Sequence, residues 1–225
     1  MKNELIVKNK PKSIISEDIR TIRTNLEFLL TDNESKTFMI TSSVPGEGKS
    51  FISSNLAVAF AQYDKKVLII DCDMRLGRTH KIFELSNKNG LSNLIAKYDE
   101  DETKLEDYIQ KTEVKNLYVL PRGVVPPNPS ELLSSKRFEV ILKKLQKIFD
   151  YIILDCVPTN GLPDALVLSK LVDKTLIVCK YGYTDIADLE STKKALENVN
   201  ANIAGVVINK VPKTRSKYGN YYYAE

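Results

Sequence analysis

One histidine, His80, is all the imidazole this chain offers. That scarcity excludes a multi-histidine metal centre and argues against a histidine-dependent triad, so acid–base chemistry falls to carboxylates. Cysteine is scarce too. Three in 225 residues do not make a disulfide framework, which points to a reducing compartment, the cytoplasm. No apolar run approaches the ~20 residues of a membrane span, and the longest, such as VLII and YIIL, are strand-sized. The amino end, MKNELIVKNKPK, lacks the long apolar stretch and small-residue cleavage site of a signal peptide. Neither sign of charge dominates: Lys+Arg 33 against Asp+Glu 29 leaves +4, too mild to indicate nucleic acid, and no such partner is expected. Internal repeats and long low-complexity segments are also absent.

What is present is alternation. Residues 15–30 read as an amphipathic helix, with Ile15, Ile19, Ile22, Leu26 and Leu29 at helical spacing and Ser16 as its N-cap. Short apolar runs then alternate with helical stretches. Strands are expected at 37–41, 66–71, 117–120, 151–155, 174–180 and 203–209. Helices are expected over 50–63, 136–148, near 163–171 and over 185–199, with 81–116 the least defined region. Strands apolar on both faces and separated by helices predict an α/β doubly wound domain: a mainly parallel sheet with helices on both sides. The chain divides into an N-terminal segment (1–36), one sheet domain (37–210) and a short tail (211–225), with no second domain.

The sharpest local feature is TSSVPGEGKS (41–50), which follows an expected strand and opens an expected helix. That is the context a phosphate-binding loop demands. Gly46 and Gly48 lack side chains, so their amides can converge on phosphate oxygens, and the helix amino end adds partial positive charge. Pro45, Gly46, Glu47, Gly48, Lys49, Ser50 and Phe51 form the candidate ATP-binding stretch. Lys49 reaches the β and γ oxygens and Ser50 ligates Mg²⁺. The usual glycine at the first position is replaced by Ser43, a small departure with GEGKS intact. The fold expectation is therefore P-loop NTPase-like. Asn209-Lys210-Val211-Pro212 lacks the aspartate of a guanine-reading N-K-x-D string, which favours ATP over GTP, and Asn209 stands where related ATPases read adenine.

Two further strands end in aspartate: VLIIDCDMR brings Asp71 and Asp73, and YIILDCVP brings Asp155. In a parallel sheet the carboxyl ends of the strands share one edge, where ligands bind. Three acids would then converge on the metal and the γ-phosphate, supplying ligation and a candidate base. Cys72 and Cys156, inside these motifs, are expected to be small buried thiols. His80 is expected in the loop beyond Arg75, without a role.

The last residues, SKYGNYYYAE, place Tyr218, Tyr221, Tyr222 and Tyr223 in a stretch with no alternating apolar pattern. If the strand at 203–209 is parallel to the others, the chain leaves the sheet on the nucleotide edge. The dozen residues from Asn209 to Tyr221 span up to ~40 Å when extended, enough to reach this site or a neighbour's. Phosphorylation of several of these tyrosines would turn a mildly basic tail acidic.

Together these motifs resemble the bacterial tyrosine kinases, in particular the cytoplasmic CpsD/CapB-type kinases of Gram-positive capsule and exopolysaccharide systems. In that family PGEGKS is the Walker A loop, apolar-D-x-D-x-R a second motif called Walker A′, and apolar-D-x-x-P Walker B. The segments 41–50, 68–75 and 152–158 match them, and GVVPPNPSELL (123–133) and the tyrosine-rich tail are further likenesses. Val157 departs from the pattern, since members more often carry proline there. The resemblance implies an ATP- and Mg²⁺-dependent protein-tyrosine autokinase of the non-specific class, regulating polysaccharide synthesis and export. Its implied catalytic set is Lys49, Asp71, Asp73 and Asp155. Ser50, Asp73 and Asp155 are the implied metal set, Asp71 accepts the phenol proton, and Tyr218, Tyr221, Tyr222 and Tyr223 are the acceptors. Arg75 either places positive charge near developing negative charge or pairs with an aspartate.

Glu17, Arg20 and Arg23 form E-x-x-R-x-x-R in the first helix. Helical spacing allows a Glu17–Arg20 pair within one chain, while the same string matches the family's oligomerisation motif. The resemblance implies a ring-like homo-oligomer, an octamer, with phosphorylation in trans. It also implies a transmembrane activating adaptor of the Wzz/CapA polysaccharide co-polymerase type, recruitment to the inner face of the plasma membrane, and a cognate tyrosine phosphatase. The competing reading is a MinD/ParA-like ATPase switch without phosphotransfer. Those loops carry an early signature lysine, where this chain has Val44.

Overall fold

The computed structural model describes residues 4–30 and 36–212. Two helices, α1 (Ile6–Asn9) and α2 (Ile14–Phe28), precede the first strand, β1 (Lys36–Ser42). Ser13, not Ser16, caps α2: its side chain accepts the Ser16 amide at 3.2 Å. Ser16 is instead buried, its hydroxyl donating to the carbonyl of Lys10 at 2.8 Å. Periodicity located this helix, but two serines three residues apart offer equivalent caps to the sequence alone.

Beyond β1 come α3 (Lys49–Ala61), β2 (Val67–Asp71), α4 (Thr79–Ile82) and α5 (Leu91–Lys97). Next are β3 (Gln110–Lys111), β4 (Leu117–Leu120), α6 (Pro129–Leu133), α7 (Lys136–Gln146) and β5 (Tyr151–Asp155). The described chain closes with α8 (Asp164–Leu168), β6 (Lys174–Lys180), α9 (Ile186–Asn198) and β7 (Ile203–Asn209). The region 81–116 holds α5, a 3-10 turn and β3, a two-residue strand antiparallel to β4 at the sheet edge. The turn-rich PPNPSELL contains α6, started by Pro129 at a position where a missing N–H costs nothing. His80 lies in α4, buried rather than in an open loop.

The seven strands run β3-β4-β2-β5-β1-β6-β7, all parallel except β3. The doubly wound, mainly parallel architecture expected from alternation is the one observed. Strand period two sends alternate residues to opposite faces. Leu68, Ile70, Ile152 and Leu154 thus join Leu91, Phe138, Ile141 and Leu145 from α5 and α7. Val67, Ile69 and Ile153 pack on the other side against Ile19, Leu26, Leu56 and Phe60 from α2 and α3. Phe60 stacks on Tyr151 with ring centroids 4.2 Å apart. Truncating a buried ring of this kind costs about 3–5 kcal/mol. Because β1, β2, β5 and β7 are parallel, their carboxyl ends lie on one rim. The strand order sets β5 between β1 and β2, so Asp155 stands between the phosphate loop and Asp71.

Candidate active site

The turn between β1 and α3 is shaped by two glycines with left-handed backbones, Gly46 (φ +83) and Gly48 (φ +101). Gly48 caps α3, and a Cβ there would lie 2.0 Å from Asn209 Nδ2, so both conformation and space demand glycine. Asn209 Nδ2 donates to the Glu47 carbonyl at 2.9 Å, tying the end of β7 to the loop. Glu47 is fully buried. Its carboxylate accepts the Val44 amide at 2.8 Å and the Thr184 hydroxyl. Glu47 is therefore the one residue of the 45–51 stretch whose side chain turns inward. Pro45, Gly46, Gly48, Lys49, Ser50, Phe51 and Asn209 all line a cavity of about 850 Å³.

Lys49 opens α3 and is almost buried, at 9% exposure. Burial lowers its pKa, while Asp155, Asp73 and Glu47 pull it back up. Asp71 and Asp155 end β2 and β5 at paired positions. Asp73 lines the cavity, whereas Asp71 and Asp155 are buried. The Oδ2 of Asp71 accepts the Thr79 amide at 3.0 Å and hydroxyl at 2.7 Å, and its Oδ1 has no partner. Burial, with Asp155 adding to it, pushes Asp71 up to about 8. Asp155 accepts the Ser53 hydroxyl at 3.0 Å. It is pushed up to about 6, burial outweighing the hydrogen bond from Ser50 and the charge of Lys49. Asp73 also closes its own turn, its Oδ1 accepting the amides of Arg75 at 3.2 Å and Leu76 at 2.8 Å.

These residues fit a magnesium ion. The Ser50 hydroxyl contacts Asp155, whose Oδ2 is buried without a partner, and Asp73 is close enough to perturb both Asp155 and Lys49. Among the described residues no three His, Cys, Asp or Glu side chains form a metal cage by themselves. Mg²⁺ needs none, since it is held by one or two carboxylates with phosphate oxygens and water.

Arg75 lines the cavity and pairs with an aspartate, but the partner is Asp164 rather than one of the three motif acids. The thiols of Cys72 and Cys156 meet at the ends of β2 and β5, and burial raises both, which leaves them unreactive. Glu17 and Arg20 pair within α2, and Arg20 also donates to the Pro11 carbonyl at 2.8 Å. Arg23 lies 4.6 Å over the Tyr63 ring. Tyr218, Tyr221, Tyr222 and Tyr223 lie outside the described residues.

Four supporting residues escaped sequence reasoning. A Cβ on Gly77 would meet Asp71 Oδ1 at 2.1 Å, so this glycine makes room for the acid. A glycine four residues beyond Asp73 was the available hint. Thr79, Thr184 and Asp164 give no comparable signal, because each acts on a residue distant in sequence or outside any period.

Residues 35–205 match the AAA domain family. CapB of Staphylococcus aureus is 41% identical over 221 residues, 98% of this chain and 95% of its own length. The tyrosine-protein kinase YwqD of Bacillus subtilis is 39% identical, over 98% of this chain and 92% of its own. The kinase domain of the Escherichia coli tyrosine kinase ETK superposes with a TM-score of 0.88 at 35% identity, covering 97% of this chain and 84% of that one. The chimerical protein CapA2B2 gives 0.87 at 39% identity, over 94% and 91%. MinD from Pyrococcus horikoshii, solved with Mg-ADP, shares the fold at 24% identity and a TM-score of 0.63.

Proposed function

The chain belongs to the bacterial tyrosine-protein kinase family, and we propose on that premise that it uses ATP and Mg²⁺ to phosphorylate its own Tyr218, Tyr221, Tyr222 and Tyr223. The observation that carries this reading is the meeting of Lys49 and Ser50 with Asp155 beside one cavity, with Asp71 on the adjacent strand. The amides of Gly46 and Gly48 and the Lys49 ammonium hold the triphosphate, and Asn209 faces the base. Ser50, Asp73 and Asp155 hold the metal, which when bound supplies charge neutralisation across the phosphates.

In the transfer, the phenol oxygen bonds to the γ-phosphorus and the bond from that phosphorus to the β–γ bridging oxygen breaks. ADP leaves with the electron pair, and the phenol proton passes to Asp71. A free phenol titrates near pH ~10 and an ordinary aspartate near ~4. Raising Asp71 to about 8 narrows that gap, which suits a base acting as the bond forms.

The ring-like octamer with phosphorylation in trans belongs to the same proposal, with Glu17, Arg20 and Arg23 at the contact. So do a transmembrane Wzz/CapA-type adaptor, recruitment to the inner membrane face, a cognate phosphatase, and a role in polysaccharide synthesis and export. Among the described residues no helix is long and apolar enough to cross a membrane.

One assay tests the core of this. The purified chain is incubated with ATP, Mg²⁺ and the adaptor's cytoplasmic segment, and phosphate is mapped by mass spectrometry. Phosphate on Tyr218, Tyr221, Tyr222 or Tyr223 that disappears in Lys49→Met is expected. ATP hydrolysis with unmodified tyrosines would transfer the reading to a nucleotide switch.

A further inference from the structure

Arg75 is fixed from two directions. Its Nη1 donates to Asp164 Oδ2 and its Nη2 reaches Ser130 Oγ at 3.4 Å. Ser130 donates in turn to the other oxygen of Asp164. The three residues form a closed triangle across three elements: the turn after β2, α6 and the first residue of α8. Asp164 is wholly buried. The backbone is pinned as well: the Arg75 amide donates to Asp73 Oδ1 at 3.2 Å. Arg122 Nη1 donates to the carbonyls of Met74 and Arg75 at 3.0 and 3.3 Å.

A carboxylate this far from water is expensive unless paired and hydrogen-bonded, and a buried ion pair adds little stability over apolar packing of the same volume. What the triangle does supply is direction. Two parallel restraints set the plane of a guanidinium, and this guanidinium lines the active-site cavity with about a third of its side chain (32%) still exposed. Its remaining N–H groups have no partner among the described residues. They are donors held in place in the cavity that Asp73, one of the candidate metal ligands, also lines.

We propose that Asp164 and Ser130 are positioning residues that hold Arg75 as a preset cation for the phosphoryl group in transit. The inference rests on the tyrosine-kinase reading. As the phenol oxygen bonds to the γ-phosphorus and ADP departs with the electrons of the broken bond, negative charge spreads over the transferred oxygens. Arg75 gains and loses no proton; it meets that charge without reorganising at the moment of reaction. The arrangement also gives the segment 123–133 a task, since Ser130 is one corner of the triangle. Lysine at position 75 would keep the charge and lose the fork.

A double-mutant cycle on the full chain tests this, reading kcat for tyrosine phosphorylation, KM for ATP and the thermal midpoint. Arg75→Ala is expected to lower kcat about 10²-fold, the scale for losing one preorganised donor. Asp164→Asn should lower it about tenfold, with KM for ATP shifted less than about threefold. The double variant should be no slower than Arg75→Ala alone, because Asp164 acts through Arg75. Unchanged kcat in Asp164→Asn overturns the proposal, as does a double variant that loses the product of both effects. Should Asp164→Asn fail to fold, the cycle is run with the half-buried Ser130→Ala and Arg75→Ala under the same criterion. A parent chain that transfers no phosphate to tyrosine sinks the kinase reading itself; an active parent with an indifferent Asp164 sinks only the positioning role.

Discussion

Asp71 and Asp155 sit directly opposite one another on neighbouring parallel strands, both out of reach of water. Two like charges so placed oppose each other's ionisation, and burial adds to the cost. Asp71 is held near 8 and Asp155 near 6.

That pairing predicts a pH-dependent stability. A carboxyl whose pKa is raised on folding binds more protons in the folded than in the unfolded chain, from its ordinary value of ~4 up to the folded value. Stability is therefore lost as pH climbs through that window, here from about 4 to about 8. The thermal midpoint of the nucleotide- and metal-free protein should fall as the buffer is raised across this range. Asp71→Asn should flatten the slope and raise the midpoint at its alkaline end. A parent profile that is flat or rises with pH would contradict the raised pKa values of this pair.

Gly77→Ala should damage the site without removing a catalytic group. The added methyl carbon would lie 2.1 Å from Asp71 Oδ1 and 2.4 Å from the Asp73 carbonyl. The Asp73 atom is backbone and the buried Asp71 carboxylate is pinned by Thr79, so the turn must shift, at a cost of about 1–3 kcal/mol. Both a lower melting temperature and a large drop in phosphotransfer are expected, checked by calorimetry and initial rates. Parental values for both would mean the turn yields more easily than its contacts allow.

Thr184→Val tests the support beneath the phosphate loop. Thr184 donates to Glu47 and accepts the Lys180 amide at 2.8 Å. Valine fills the same volume but leaves a buried carboxylate oxygen without its donor, a loss of about 1–3 kcal/mol. ATP affinity should weaken several-fold, because Glu47 also fixes the Val44 amide. Nucleotide titration reads this directly, and unchanged affinity would show that the loop holds its shape without Thr184.

The arginines of E-x-x-R-x-x-R should separate folding from assembly. Arg23 stitches α2 to α3 within one subunit, over the Tyr63 ring at 4.6 Å and 3.4 Å from the Ala59 carbonyl. Arg23→Ala should cost stability, about 0.5–1 kcal/mol for the ring contact alone. Among the described residues Arg20 pairs with Glu17 of α2 and the Pro11 carbonyl, so Arg20→Ala should leave the melting temperature in place. If the motif joins subunits, the same variant will elute as a smaller species on a sizing column. An unchanged elution volume would assign Glu17 and Arg20 to helix pairing alone.

Much of this was legible in one dimension. Apolar runs bounded by polar turns located six of the strands, and β4, β5, β6 and β7 have the limits read from pattern. The two-residue β3 was missed, since so short an edge strand carries no period. GEGKS announced its own structure, because left-handed glycines before a lysine serve few other purposes. His80, the Ser16 cap and the inward turn of Glu47 went differently. In each case packing against other elements, rather than local spacing, decided where the side chain lies.

From its order of residues alone the chain determines a covered parallel sheet, a phosphate loop and acids at strand tips, since backbone period and glycine conformation are local properties. Which tips become neighbours was a matter for the tertiary structure. Placing β5 between β1 and β2 put Asp155 against Asp71 and allowed the Arg75–Asp164 contact, while placing β6 on the other side of β1 brought Thr184 to Glu47. Such contacts join residues about 90 and 140 positions apart (89 and 137 along the chain). No local spacing encodes them, and the burial of one carboxylate in each pair, Asp164 and Glu47, is what makes a partner necessary.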